Sequence, residues 1–252
     1  MRIDDYTGAL INVLTLISTN VPPWIEKLIV KSREYDLDFF RSNGFSQEAF
    51  IKGYFDGVDM YFMVKYYSNE RAQNSNQIQE QQIVESILNK KISPSEVTWQ
   101  EVSMASIIDA DELATLYATV FKVYPTSMSD PSYVRKTMEE GTIYVVIRDK
   151  NKIVSAASAE IVQVYSNAEL TDCATLPQAQ GQGQMKKLLS KLEEVLKTKK
   201  IKCLYTIARA ESYSMNKVFY QLNYSFGGSL TNNCFIFSGL EDMNVWYKLV
   251  RV

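Results

Sequence analysis

A glycine loop, Gln180-Gly181-Gln182-Gly183, is the part of the sequence best suited to bind an anion. An apolar-leaning segment ends just before it at Pro177, and apolar residues at helical spacing follow over residues 183–199. A strand, a glycine turn and a helix in this order direct backbone N–H groups towards a phosphate. The loop therefore predicts a phosphate site at a helix N-terminus.

Acidic residues before this loop are candidates for proton transfer. The chain contains no histidine, so an acid or base must be Asp, Glu, Tyr, Cys, Lys, backbone or water. Glu169 and Asp172 are nearly equal candidates for a base or an amine anchor, and Glu160 is a third. Strand alternation places Glu169 and Asp172 on opposite faces unless a β-bulge divides the strand. For each acid, a solvated or salt-bridged surface role is the alternative.

The elements that must position these residues lie in the second part of the chain. Hydrophobic periodicity, turn residues and caps predict the order β-α-α-β-β-β-α-β-α-β-β there. The predicted strands cover residues 98–103, 142–148, 153–164, 169–175, 202–208, 224–230 and 234–237. The predicted helices begin near Asp109, Asp130, Gly183 and Ser212.

The first part of the chain is predicted to be a smaller α+β unit followed by a linker. Between Gln73 and Gln82 seven of ten residues are Asn or Gln, which is typical of a linker, and the boundary is placed near residue 95. Asp56 and Gly57 predict a hairpin turn. Residues 1–72 show a helix, an Asn-containing turn and an aromatic strand. This pattern indicates a half-copy of the second half of the C-terminal domain, while an unrelated α+β unit is the alternative.

Composition limits the classes of function. The chain has 252 residues, is 46% hydrophobic and carries 27 basic against 29 acidic residues, for a formal charge of −2. That balance lacks the basic excess of a nucleic-acid-binding protein. No apolar run approaches the length of a membrane span. Three cysteines without metal-like spacing are typical of a reducing compartment, so a cytoplasmic protein with no nucleic-acid or membrane partner is expected.

The loop and its surroundings resemble motif A of the GNAT acetyltransferase superfamily, R/Q-x-x-G-x-G/A after a strand that ends in Pro. Gln180 takes the Arg/Gln position and Gly183 the first glycine, whereas Met185 stands where Gly or Ala is usual. Asn216, followed four residues later by Tyr220, resembles motif B. The resemblance implies an α+β GNAT fold over residues 96–252, with a mixed, mostly antiparallel sheet flanked by helices, after a partial GNAT-like unit and linker over residues 1–95.

Longer segments are similar to the β-lysine N-acetyltransferases of bacteria and methanogenic archaea. This similarity extends over nearly the whole chain and implies transfer of an acetyl group from acetyl-CoA to the side-chain amine of β-lysine in a ternary complex. The similar segments are residues 43–45, 54–57, 61–63, 120–125, 169–177, 205–210, 215–216, 232–233 and 239–248.

The resemblance also implies which residues contact the cofactor and the leaving group. Backbone N–H groups of the loop would hold the pyrophosphate, and the end of the preceding strand would hold the pantetheine arm. Tyr220 would protonate the departing thiolate, with a core aromatic residue as the alternative. The implied cofactor-binding residues are Cys173, Ala174, Thr175, Gln180, Gly181, Gln182, Gly183, Gln184, Met185, Lys186 and Asn216.

A β-lysine acceptor carries two ammonium groups and one carboxylate, so its pocket needs acids and a cation or amides. Arg209 is a candidate for a bidentate carboxylate clamp, and Asn232 and Asn233 are candidate amide donors. Asp172, Glu241 and Asp242 could bind the ammonium groups, Glu160 is a further candidate for substrate binding, and Tyr124 could form a pocket wall. Surface polar residues and a core tyrosine are the alternatives for these assignments.

Two other functions stay open on the sequence. One is acetylation of another small amine or of a protein lysine. The other is a catalytically inactive acyl-CoA sensor, for which the Gln180 and Met185 departures argue. A small cationic amino acid is the expected substrate, and a homodimer and a monomer are both open.

Overall fold

The computed structural model describes residues 1–91, 101–236 and 239–251. The predicted domain boundary near residue 95 and the first half of the predicted strand over 98–103 lie outside these residues. The strands are β1 Arg2–Ile3, β2 Lys27–Arg33, β3 Ser46–Phe55, β4 Val58–Tyr66, β5 Val102–Met104, β6 Ile143–Asp149, β7 Lys152–Val162, β8 Asn167–Thr175, β9 Cys203–Arg209, β10 Ser225–Ile236 and β11 Gly239–Leu249. The helices are α1 Leu10–Asn20, α2 Leu37–Ser42, α3 Gln77–Leu88, α4 Ala110–Val120, α5 Pro131–Glu139, α6 Gln184–Thr198 and α7 Tyr213–Gln221.

Within the described residues one sheet of eleven strands runs through both parts of the chain. Its order is β1-β2-β4-β3-β10-β11-β9-β8-β7-β6-β5. The β1–β2 and β8–β9 pairs are parallel, and the other neighbours are antiparallel. The expected mixed, mostly antiparallel sheet flanked by helices is therefore confirmed. The division into domains at residue 95 stays a prediction.

The two parts of the chain share one local topology. In β2-α2-β3-β4 and in β9-α7-β10-β11 the last strand lies between the other two. Both helices end alike, because Phe45 N–H donates to the Phe40 carbonyl and Tyr224 N–H donates to the Phe219 carbonyl, at 3.1 Å each. The aromatic rings meet edge-on in both places, at centroid separations of 5.3 and 5.2 Å. This likeness supports the half-copy interpretation of residues 1–72.

The junction between the two parts is a short antiparallel contact of β3 with β10, in register at Ala49 and Gly228. Gly228 has φ +122°, and a Cβ there would lie 2.8 Å from the Ala49 Cα. Only glycine permits this backbone conformation and this approach of the two strands. Apolar side chains from both parts then form one cluster, which includes Ile51, Phe62, Tyr205 and Val245.

The sheet curls, so that its two faces have different environments. Helices α6 and α7 cover one face through a core that includes Leu188, Leu192 and Phe219. Helices α4 and α5 cover part of the other face. The rest of that face is concave, because the β3–β4 hairpin returns to the start of β8, where the Asn167 side chain donates to the Tyr54 carbonyl at 2.8 Å.

Three local predictions differ from the structure. The segments predicted as separate strands at 224–230 and 234–237 form the single strand β10 over the described residues, with an irregularity between Leu230 and Cys234. The last strand among the described residues is β11, and no strand was predicted over its residues. A capping box of Ser106 and Asp109 begins the helical segment that leads into α4, with Ser106 as the N-cap. Asp109 itself was the predicted N-cap. Part of the glutamine-rich linker is helical, since α3 buries three side chains against the acetyltransferase-like part, Glu80, Val84 and Ile87.

No helix in the described part of the chain is long and apolar enough to cross a membrane.

Candidate active site

A wedge opens between β8 and β9 at the centre of the sheet. The two parallel strands pair only from Asn167 and Cys203 to Glu169 and Tyr205, and then diverge. β8 stays paired with β7 as far as Thr175. The other edge of β8 beyond Glu169 has no strand partner among the described residues. Backbone groups on this edge can bond the amides of an extended ligand, because strand N–H and C=O groups require partners.

The glycine loop lies at the open end of this wedge. A short 3-10 turn over Pro177–Ala179 follows β8, and Gly181 and Gly183 both have left-handed backbone, with φ +78° and +71°. Among the described residues, none accepts a hydrogen bond from the backbone N–H groups of residues 181–185. Because α6 has 15 residues, its N-terminal partial positive charge adds to these donors. The arrangement suits a diphosphate.

Side chains of the loop are largely engaged within the protein. The Gln180 amide donates to the Thr175 carbonyl at 3.2 Å, and the Gln184 amide donates to the Gln182 side chain at 3.4 Å. Met185 packs against the core under α6. The usual small residue at that position is therefore replaced by one that turns inward, and the backbone N–H groups are the candidate anion donors of the loop.

Replacing Gly183 by valine is expected to raise the Kd for acetyl-CoA at least about 10-fold. A β-branched residue at φ +71° is strained, and an adjustment costing about 1–2 kcal/mol would turn the N–H donors away from the ligand. A Cβ at Gly183 meets no atom within 4 Å, so a clash within the protein would not contribute. Isothermal titration with acetyl-CoA measures the effect.

The matched control is Gly141→Val. Gly141 has φ +102° and equally open surroundings, but lies between α5 and β6. We expect both variants to lose stability and only Gly183→Val to lose acetyl-CoA affinity. Equal affinities in the two variants would argue against a phosphate site at the loop.

A β-bulge brings the candidate acids onto one face. Ala156 pairs with Ala174 and Ser158 pairs with Thr171, so β8 carries one extra residue there. Asp172 occupies it with φ +49°. Aspartate tolerates this left-handed conformation better than most residues. The bulge turns Asp172 towards the concave face, where Glu160 and Glu169 are direct cross-strand neighbours.

Asp172 is held firmly in this position. Its side chain is buried, and its two oxygens accept hydrogen bonds from the Tyr124 hydroxyl at 3.1 Å and from the Ser158 hydroxyl at 2.6 Å. Burial raises the pKa of Asp172, although both hydrogen bonds oppose the rise. The Tyr124 ring stacks on Phe121 with 4.2 Å between centroids. Tyr124 therefore lies beside the acids, as a pocket wall would.

Glu169 lies where β8 and β9 begin to diverge. Burial raises its pKa, while the positive charges of Lys31 and Arg2 and a hydrogen bond from Tyr205 oppose the rise. Glu160 is exposed at the rim, and surrounding protein together with the charges of Glu169 and Asp172 raises its pKa to about 7. A carboxyl group with a raised pKa is a better proton acceptor near neutrality. The three acids lie where the wedge begins, and they can thus bind an ammonium group and take its proton.

Asn216 has a structural role instead of the predicted cofactor contact. Its amide N–H groups donate to the Arg209 and Ser212 carbonyls at 2.9 and 2.8 Å. Its side-chain oxygen accepts from Asn244 at 3.0 Å and from the Trp246 indole at 2.7 Å. Because all four hydrogen-bonding positions are occupied and the side chain is fully buried, Asn216 fixes α7 to β9 and β11.

Two predicted substrate residues neutralise each other. Arg209 forms a bidentate pair with Glu241, with 2.6 Å from Nε and 2.8 Å from a terminal nitrogen. The face of the guanidinium best suited to a carboxylate is therefore occupied. We correct their assignment from substrate binding to an ion pair that joins β9 to β11.

The two asparagines of β10 differ from each other. Asn232 is buried, and its amide donates to the carbonyls of Arg71 and Gln73, at 3.1 and 2.8 Å, so it holds the linker rather than a substrate. The Asn233 amide donates to the Cys234 sulfur at 3.4 Å. The buried side-chain oxygen of Asn233 has no hydrogen-bond partner in the described part of the chain. Asn233 as a substrate residue stays a prediction.

Tyr220 lies away from the acids, on the opposite face of the sheet. Its hydroxyl donates to the carbonyls of Leu88 and Lys90, both at 3.0 Å, at the C-terminal end of α3. Protonation of a thiolate by Tyr220 stays a prediction, and it requires the hydroxyl to leave these carbonyls.

Functional candidates that the sequence did not suggest come from the first part of the chain. Lys31 and Arg2 act electrostatically on both Glu160 and Glu169. Asp4 pairs with both cations, at 2.7 Å from Lys31 and 2.9 Å from Arg2. The only sequence indication for Lys31 and Arg2 is the group of acids that they face, because clustered acids require nearby positive charges.

This chain is similar to several known proteins. The model of the acetyltransferase (GNAT) family matches residues 110–224. The N-acetyltransferase YodP of Bacillus subtilis is 36% identical over 98% of this chain and 91% of its own length. The β-lysine N(6)-acetyltransferase of Methanosarcina mazei is 32% identical over 89% of this chain and 91% of its own length. The GNAT superfamily phosphinothricin acetyltransferase of Sinorhizobium meliloti, solved in complex with acetyl-CoA, has TM-score 0.51 and 18% identity over 59% of this chain and 87% of its own.

Proposed function

Because the chain belongs to the GNAT acetyltransferase family, we propose that it transfers the acetyl group of acetyl-CoA to the side-chain amine of β-lysine. The observation that carries the proposal is the cluster of Glu160, Glu169 and Asp172 where β8 and β9 diverge. The similarity to a β-lysine N(6)-acetyltransferase over most of the chain supports this substrate.

The expected path of the donor follows the wedge. The diphosphate of acetyl-CoA lies on the N–H groups of the glycine loop, and the pantetheine arm runs along the free edge of β8 from Thr175 towards the bulge. This path brings the thioester beside Asp172 and Glu169. N–H groups at the bulge then polarise the thioester carbonyl, which lowers the barrier to attack.

The acceptor must lose a proton before it attacks. A side-chain amine of pKa about 10.4 is almost wholly protonated at pH 7. Asp172, fixed by Tyr124 and Ser158, holds the ammonium group, and Glu169 takes its proton. The neutral amine attacks the thioester carbon, the C–S bond breaks, and the nitrogen loses its second proton to solvent to give the neutral amide. The thiolate leaves with a proton from solvent or from Tyr220. Glu160 at the rim returns the extracted proton to water.

The test compares β-lysine, α-lysine and spermidine as acceptors, with coenzyme A release as the rate and mass spectrometry of the products. We expect β-lysine to give the highest kcat/KM and a single acetyl group on the side-chain nitrogen. Faster turnover of spermidine than of β-lysine would identify a polyamine as the preferred substrate. No release with any amine, despite tight acetyl-CoA binding, would favour the inactive sensor.

The pH dependence of kcat/KM is expected to reflect the ionisation of Glu160. Because its pKa is raised to about 7, Glu160 is protonated at about pH 6 and ionised at about pH 8. We therefore expect kcat/KM for β-lysine to rise between these values, since this parameter reports ionisations of the free enzyme. In Glu160→Gln this rise should flatten, and in the exposed control Glu140→Gln it should persist. An unchanged midpoint in Glu160→Gln would assign the rise to another group.

A further inference from the structure

Positive and negative charges face each other across the concave side of the sheet. The acetyltransferase part contributes the acids Glu160, Glu169 and Asp172. The first part of the chain contributes cations, which are Arg2, Lys27, Lys31 and Arg71. An amino acid with an amine at one end and a carboxylate at the other fits such a distribution.

Three of these cations already have close partners. The Lys27 ammonium lies 2.7 Å from Glu48 and donates to the Thr231 carbonyl at 2.6 Å. Lys31 lies 2.7 Å from Asp4 and donates to the Tyr54 hydroxyl at 2.9 Å. Arg2 lies 2.9 Å from the same Asp4 oxygen. Their charges are compensated without a ligand.

Arg71 is poorly compensated. Its side chain is 18% exposed, and its nearest acid, Glu26, lies 3.6 Å away. The Arg71 Nε is buried and has no hydrogen-bond partner among the described residues. A guanidinium with a buried, unpaired Nε–H is costly. The same group presents the fork that binds a carboxylate through two parallel hydrogen bonds.

The backbone of Arg71 is also fixed to the sheet. The Asn232 amide of β10 donates to its backbone carbonyl at 3.1 Å. Cys234, two residues further along β10, packs against the concave apolar cluster. The pKa of Cys234 is raised by burial and by the charge of Glu169, and the charges of Arg2 and Arg71 oppose that rise. Arg71 and Glu169 therefore both lie within electrostatic range of the Cys234 thiol.

We infer that Arg71 binds the carboxylate of the amino-acid acceptor, while the amine to be acetylated lies at Glu169 and Asp172. This inference rests on the proposed function and extends it. The first part of the chain then contributes directly to substrate selection, because it distinguishes an amino acid from a diamine.

The test compares β-lysine with 1,4-diaminopentane, which is β-lysine without its carboxylate. In the wild type we expect a KM at least about 10-fold lower for β-lysine. In Arg71→Gln the KM for β-lysine should rise at least about 10-fold with kcat nearly unchanged, and the KM for the diamine should stay constant. Arg71→Lys, which keeps the charge and loses the fork, should be intermediate. The exposed Arg41→Gln is the control and should change neither KM.

A second measurement needs no variant. The amide of β-lysine replaces the carboxylate by a neutral group, and the wild type should bind it as weakly as the diamine. Equal KM values for β-lysine, its amide and the diamine would overturn the inference and leave β-lysine acetylation intact. An equal rise of KM for β-lysine and diamine in Arg71→Gln would also overturn it. Absence of β-lysine turnover by the wild type, despite tight acetyl-CoA binding, would overturn the proposed function as well.

Discussion

Replacing Glu169 by glutamine is expected to lower kcat with β-lysine by about 10²–10⁴-fold, the usual contribution of a general base. Glutamine keeps the size of the side chain and can still accept a hydrogen bond from Tyr205, but it cannot take a proton. Steady-state release of coenzyme A measures the loss. Titration with acetyl-CoA should give an unchanged Kd, because the loop proposed to hold the diphosphate lies at the other end of the wedge.

The control for this prediction is Glu140→Gln, an exposed acid beside Lys136, which should leave kcat unchanged. Asp172→Asn is a useful comparison. If Asp172 anchors the ammonium group, its loss should raise KM more than it lowers kcat. Unchanged kcat and unchanged pH profiles in both Glu169→Gln and Asp172→Asn would eliminate both as the base.

Replacing Asn216 by alanine is expected to destabilise the protein by about 3–5 kcal/mol. The substitution removes four hydrogen bonds and leaves the buried Trp246 indole N–H and the Asn244 amide without an acceptor. This loss is a large share of the total stability of a typical protein, about 5–15 kcal/mol. Urea unfolding followed by tryptophan fluorescence measures the shift in the midpoint.

Asn12→Ala on the exposed side of α1 is the matched control and should shift stability by less than about 0.5 kcal/mol. Folded Asn216→Ala protein should bind acetyl-CoA within about 3-fold of the wild type, because the side chain serves the protein interior. A weakened Kd with unchanged stability would instead restore the cofactor-binding role that motif B implied.

Local sequence patterns predicted much of the structure of the acetyltransferase part. The order of its strands and helices from α4 to α7, the glycine loop before α6 and the hairpin at Asp56 and Gly57 follow from periodicity and turn residues, and the structure confirms them. The two strands predicted after α7 are instead the single strand β10, and β11 was not predicted. Strand alternation alone placed Glu169 and Asp172 on opposite faces, and the bulge that the sequence left open brings them onto one face. The family assignment and the fold class are likewise confirmed.

Local sequence patterns could not predict which side chains pair with each other. Arg209 and Glu241 are 32 residues apart, and their ion pair depends on the register of β9 with β11. Asn216 had the sequence position of a cofactor residue, yet the polar groups that meet it come from strands on either side. Arg71 lies just before the predicted linker, in no segment whose pattern indicated chemistry. Each of these roles is set by contacts between distant parts of the chain, which no local pattern contains.

The contact of β3 with β10 has a consequence for the order of folding during synthesis. The edge of β3 receives its neighbour only when residues 225–236 have been made, close to the end of the chain. Until then the nascent first part carries an unpaired strand edge and an apolar surface that its own residues do not cover. Such surfaces promote association between chains. The first part therefore reaches its final state only after residues 225–236 have left the ribosome.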